Sequence, residues 1–136
     1  MRTCVRVSLF GAVCSDSVTV SGAGAVQPAF MGTYLKAAGL AQGSRPVYQR
    51  VGSTTVVYLY YWPGLSSWYI GDDYTTDEVG LHSAGTAAAC PDQPTGWQVW
   101  NGGAWVSGYS VKVVQGAHII LLLILFLLRA LSCPLE

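Results

Sequence analysis

Charge is scarce in this chain: seven Lys and Arg and seven Asp and Glu among 136 residues, for a net charge of zero. The central part sets Asp16, Asp72, Asp73, Asp77, Glu78 and Asp92 against Lys36, Arg45, Arg50 and Lys112, a mildly acidic balance. Nucleic acid needs clustered Lys and Arg to neutralise its phosphates, so it is not expected as a partner. Histidine is scarcer still. His82 is the only one before the C-terminal tail. One imidazole among scattered Ser and Asp makes no triad, and His82 reads as an ordinary strand or loop residue. No CxxC or Cys/His cluster offers a structural zinc site. The GxSxG, P-loop, HExxH and GxGxxG patterns are all missing; Gly22-Ala23-Gly24 lacks the third glycine and the helix that should follow. The expectation is a protein that is not an enzyme and takes no cofactor. Asparagine occurs once, as Asn101 before two glycines, which leaves no N-glycosylation acceptor. Helical periodicity is also missing from residues 15–114, Tyr34–Ala41 coming nearest to it.

What is present divides into unlike parts: residues 1–14, a Gly- and aromatic-rich body over 15–114, and a hydrophobic tail over 115–136 that contains Ile119–Leu128 (IILLLILFLL). Ten aliphatics make a helix about 15 Å long, half the roughly 30 Å hydrocarbon core. Sixteen uncharged residues lie between Lys112 and Arg129, about 24 Å of helix, and Arg129 can snorkel. A marginal membrane helix is the first reading of the tail. A GPI signal ranks second, because only Gln115 and Gly116 are left for its polar spacer. A helix buried in the domain is the third. At the other end Arg2 and Arg6 precede Val7–Val13. This segment reads either as a short signal-peptide core with a cleavage site before Ser15 or as a first strand over Val5–Val13.

Of Cys4, Cys14, Cys90 and Cys133, only Cys14 and Cys90 lie within or beside the body, and they are the expected disulfide in an oxidising compartment.

Within the body, short β-branched and aromatic runs alternate with Gly, Pro, Ser and Asp clusters. They predict strands at Ser17–Ser21, Gly32–Lys36, Val47–Val51, Thr54–Trp62, Ser67–Gly71, Trp97–Trp100, Ala104–Val106 and Ser110–Val114. Asn101-Gly102-Gly103 is the clearest hairpin turn, since Asn and Gly tolerate positive φ. In Thr54–Trp62, Val56, Tyr58, Tyr60 and Trp62 share one face; Thr55, Val57, Leu59 and Tyr61 share the other. Aromatics on both faces point to a central strand with core on one side and a covered or adhesive face on the other. The fold class expected is all-β, a small mostly antiparallel sheet, sandwich or barrel-like module followed by a C-terminal hydrophobic helix.

The order Gly32-Thr33-Tyr34, Ser44-Arg45-Pro46-Val47-Tyr48, Tyr58–Trp62, Trp68–Gly71, Pro94 and Trp97 resembles a short β module. That module recurs in large multi-domain proteins of algae and other protists, usually with Gly where Ser44 stands. The resemblance spans nearly all of Val18–Val114. It implies a building block of extracellular or surface proteins and brings no assigned activity.

Two clusters carry candidate chemistry. Asp72, Asp73, Asp77 and Glu78 supply hard oxygen donors suited to Ca²⁺, without EF-hand spacing, and otherwise read as a solvated loop. Tyr61, Trp68, Tyr74, Trp97 and Trp105 are the aromatics for a platform that stacks on sugar rings or a partner protein. Trp68 and Trp97 are expected in the core, with Tyr61 and Trp105 at the surface. Arg45 reads first as a structural pair or cation–π partner of Tyr48 or a nearby Trp, and second as a ligand contact. The functional expectation is a non-catalytic adhesion or glycan/protein-binding module, tethered by its tail at the cell surface or a secretory-pathway membrane, or else secreted. Its rival is a purely structural module or a fragment of a larger repeat protein. Contiguous exposed Trp and Tyr would favour binding; their burial would favour a scaffold.

Overall fold

A computed structural model describes residues 13–116 and 127–128. It is all-β. The strands are β1 (Ser17–Ser21), β2 (Gly32–Gln42), β3 (Arg45–Arg50), β4 (Tyr58–Trp62), β5 (Ser67–Gly71), β6 (Leu81–Ser83), β7 (Trp97–Trp100), β8 (Trp105–Val106) and β9 (Lys112–Gln115). They form one antiparallel sheet in the order β8-β7-β6-β5-β4-β3-β2-β1-β9. The first eight are a meander, and β9 crosses over to pair with β1, Val18 opposite Gln115 and Ser21 opposite Lys112.

That order forces the sheet to curl. Laid flat, nine strands would hold β8 and β9 about 38 Å apart at the usual interstrand spacing. The chain from Val106 to Lys112 reaches at most about 21 Å. The sheet therefore bends into a half-barrel. Gln27 Nε2 helps to draw the two sides together by donating to the Trp100 carbonyl at 2.8 Å.

Alternation sorts the side chains. Val18, Val20, Tyr34, Tyr48, Leu59, Tyr61, Trp68, Ile70, Leu81, Trp97, Val99 and Val113 fill the inner face. Val47, Tyr60 and Tyr69 are buried on the outer face beneath Leu40, Tyr58, Trp62, Tyr74 and Val79. The two-faced strand read in the sequence is thus β4, although it begins at Tyr58 and residues 54–57 lead into it without pairing as strand.

Several boundaries differ from expectation, β3 running from Arg45 to Arg50 and β8 beginning at Trp105 among them. β2 runs on to Gln42 through the stretch nearest to a helical period, because pairing with β3 on either side of a bulge between Lys36 and Ala41 outweighs that local pattern. β6 carries only three residues, too few to show an alternation, and is a strand because β5 and β7 pair with it. The last strand is Lys112–Gln115 rather than Ser110–Val114.

The half-barrel has two mouths. The connection between β6 and β7 crosses one of them, where Ala87 N–H donates to the Ser66 carbonyl and the indole N–H of Trp68 to that of Ala88. The Cys14–Cys90 disulfide fastens this connection to the segment leading into β1, across a sequence separation of 76. At the other mouth, Phe30 and Met31 pack on the core and the acidic segment 72–79 folds back over the outer face. Gly80 stands at the end of that segment, and a Cβ there would run into the ring of Phe30.

The expected signal or first strand over 1–12, the tail helix over Ile119–Leu128 and the residues Cys4 and Cys133 lie outside the described residues, apart from exposed Leu127 and Leu128. Among the described residues no helix is long and apolar enough to cross a membrane.

Candidate functional site

The hairpin of β7 and β8 is built by its turn. Asn101 Oδ1 accepts the N–H groups of Gly103 and Ala104 at 3.0 and 2.9 Å, and Gly102 takes a φ of +99° that a side chain would oppose. This pairs Trp100 with Trp105 and turns both outward, ring centroids 5.5 Å apart, 36 % and 40 % exposed. Trp105 stands edge-on to His82 at 4.5 Å. His82 lies 5.9 Å from Tyr69, over which Trp62 stacks at 6.0 Å with an interplanar angle of 14°. Aromatic rings therefore run without a break across the outer face from β4 to β8.

Beside His82 the ribbon opens into a cavity of about 450 Å³. Its lining includes Leu65, Thr95, Trp97, Gln98, Ser107 and Tyr109, with no Lys, Arg, Asp or Glu. The hydroxyls of Ser67 and Ser83, also on its wall, are committed to the carbonyls of Leu65 and Ala84. Thr95, Gln98, Ser107 and Tyr109 make no such side-chain bond among the described residues. His82 Nδ1 lies 3.1 Å from the Ser83 carbonyl. A carbonyl can only accept, so Nδ1 carries the proton and Nε2 is left as an acceptor. Ser83 donates to Ala84 rather than to His82, so the two neighbours form no nucleophile–base pair. The indole Nε1 of Trp97 is buried without a partner among the described residues, a donor whose burial is costly until something accepts from it.

Of the residues singled out in the sequence, Trp105 sits in this site. Tyr74 is half-buried at 5.1 Å from Tyr58, on the acidic segment. Tyr61 is a correction: it is 4 % exposed and faces inward against Trp68, because the β4 alternation puts it with Leu59. Arg45 lies 3.6 Å over the Tyr61 ring and donates to the carbonyls of Gly43, Ala87 and Ala88, so its guanidinium holds the β6–β7 connection in place. Trp68 and Trp97 are core, as expected.

The acidic segment forms no compact cluster. Among the described residues no three His, Cys, Asp or Glu converge on a common point. Asp73 accepts from the Thr75 hydroxyl at 2.6 Å and the Thr75 N–H at 2.8 Å, a local turn that holds its carboxyl below the ordinary Asp range. The segment acts as a strap, with the Tyr60 hydroxyl donating to the Thr76 carbonyl at 2.7 Å. Burial, reinforced by the charges of Tyr69 and the nearby aspartates, raises the Tyr60 phenol above its ordinary range.

Sequence reasoning missed Trp100, His82 and Gln98. Trp100 was legible from its position across the Asn-Gly turn from Trp105. His82 and Gln98 join the site through β6, a strand too short to recognise. No protein-family model, curated protein or solved structure matches the chain.

Proposed function

We propose that the protein is a non-catalytic glycan-binding module of the cell surface or the secretory pathway. One observation carries the reading: two adjacent exposed tryptophans adjoin, through His82, an uncharged cavity rich in hydrogen-bonding side chains. A sugar ring presents an apolar C–H face and a rim of hydroxyls. Trp105, beside His82, takes the face, and Gln98, Thr95, Ser107, Tyr109 and His82 Nε2 take the rim. The disulfide fits an oxidising compartment, and the resemblance to a module of surface proteins agrees with it. The hydrophobic tail supplies the membrane tether in this reading.

A glycan array tests it. The expected result is selective binding that Trp105→Ala and Gln98→Ala each weaken at least tenfold while the fold is kept. Binding of no glycan, or binding indifferent to Trp105→Ala, would leave the purely structural role instead.

A further inference from the structure

We propose that the cavity takes the sugar headgroup of a glycolipid while the mouth closed by Cys14–Cys90 rests on the bilayer that carries it. The inference depends on the glycan-binding reading and adds where the glycan resides.

The first argument is position. Leu65, Gly85, Thr95 and Gly96 on the cavity wall all belong to connections at that mouth. Leu65 tips the Pro63–Leu65 turn and is 62 % exposed. Beneath the turn lies Trp62, whose Nε1 would stand 3.1 Å from a Cβ at Gly64. An exposed Leu above an indole is the amphipathic pairing that suits a membrane–water boundary.

Chain direction is the second argument. Val13 enters at this mouth and is 81 % exposed. Gly116 leaves beside it, its N–H donating to the Ser17 carbonyl at 2.8 Å. The aliphatic run Ile119–Leu128 begins three residues later, at most about 11 Å of extended chain. A tail in a membrane brings this mouth, and not the opposite one, to the lipid.

Charge is the third. The exposed residues Val13, Ser44, Pro63, Leu65, Thr86 and Thr95 around the mouth are uncharged. The Arg45 guanidinium is occupied by three carbonyls, and Asp16 is paired with Lys36 at 3.4 Å. The exposed acids Asp72, Asp73, Asp77 and Glu78 stand at the far mouth. The near mouth thus exposes fewer acids than the far one, Asp92 there being half-buried with Oδ2 accepting from Gln115 Nε2 at 2.7 Å, and the far mouth keeps its four exposed acids away from anionic lipid.

The test uses the full-length chain in phosphatidylcholine nanodiscs. These contain glucosyl-, galactosyl-, lactosyl- or globotriaosylceramide with a photoreactive diazirine on the sugar. Illumination is expected to label peptides 65–67, 95–98 and 107–109 with at least one of these lipids, several-fold above a phosphatidylcholine carrying the diazirine in its headgroup. Val13→Asp, at an exposed position of this mouth outside the cavity lining, is expected to lower that yield at least threefold and to leave binding of the corresponding free oligosaccharide unchanged. Binding of the free sugar without labelling above the phosphatidylcholine level would overturn the membrane placement and leave the glycan reading standing. If neither free nor lipid-borne sugar binds, both fall.

Discussion

Single residues in this protein are held by a few polar bonds inside an aromatic core. The Tyr48 hydroxyl donates to the Ser15 carbonyl at 2.7 Å, fully buried. Tyr48→Phe keeps the ring and removes the bond, an expected loss of about 0.5–1.5 kcal/mol by chemical denaturation. Burial also raises the phenols of Tyr34, Tyr48 and Tyr60 above their ordinary range, with Asp92 and Asp16 adding to the effect at Tyr48 and Arg50 opposing it at Tyr34. In the unfolded chain such phenols ionise near pH 10, at about the ordinary tyrosine value. Their folded pKa lies higher, so this part of the stability is complete below that pH and is lost as pH rises above it. An alkaline titration followed at 295 nm should show these three phenols ionising only as near-UV circular dichroism collapses. Ionisation with the circular dichroism intact would contradict it. For Asp73 the sign reverses: its carboxyl is lowered, first by the Thr75 hydroxyl and then by the Thr75 N–H. The strap is favoured above the ordinary Asp range and loosens as pH falls through the lowered value. Thr75→Val should move the Asp73 titration upward by NMR; no movement would mean that the hydroxyl contributes nothing.

At the scale of elements, two fasteners convert a meander into a half-barrel. The disulfide spans 76 residues, and restricting so long a loop in the unfolded chain stabilises the fold by roughly 4 kcal/mol in the chain-entropy account. A Cys14→Ser/Cys90→Ser double variant should lose about that much in guanidinium unfolding. A loss below about 1 kcal/mol would show that the hydrogen bonds of Arg45, Trp68, Ala87 and Asp92 hold the β6–β7 connection without the disulfide. The second fastener is the approach of β1 to the β8–β9 connection. Gly22, with a φ of +104°, sits where a Cβ would press into the Ser110 carbonyl. Gly22→Ala combines backbone strain with a main-chain clash and should cost at least about 2 kcal/mol. The disulfide was legible in the sequence from elimination among four cysteines. This contact was not, because the sequence gives Gly22 no partner 88 positions away.

For the whole molecule, the expected consequence is a separation of stability from binding. Trp105 is exposed and packs mainly on His82 and Trp100, so Trp105→Ala should change the unfolding free energy by under about 1 kcal/mol while removing glycan binding. Trp68→Ala, at a fully buried position, should cost about 3–5 kcal/mol. Calorimetry and array binding on the same two proteins check both statements together.

By itself the sequence determined the class and most of the elements. Alternation and turn chemistry are local, so Ser17–Ser21, Ser67–Gly71, Trp97–Trp100 and the Asn101 hairpin follow from neighbours a few residues apart. It determined too that β4 would carry aromatics on both faces. Which face each aromatic would occupy depended on the curl of the sheet. Tyr61 went inward under Arg45, and Trp105 stayed outside beside a histidine that nothing local recommended. β6 exists only because two longer strands flank it, and the cavity only because β5, β6, β7 and the chain after β8 meet there. Those are non-local pairings, fixed by loop closure and packing across the half-barrel, and they carry no signature within any single stretch of chain.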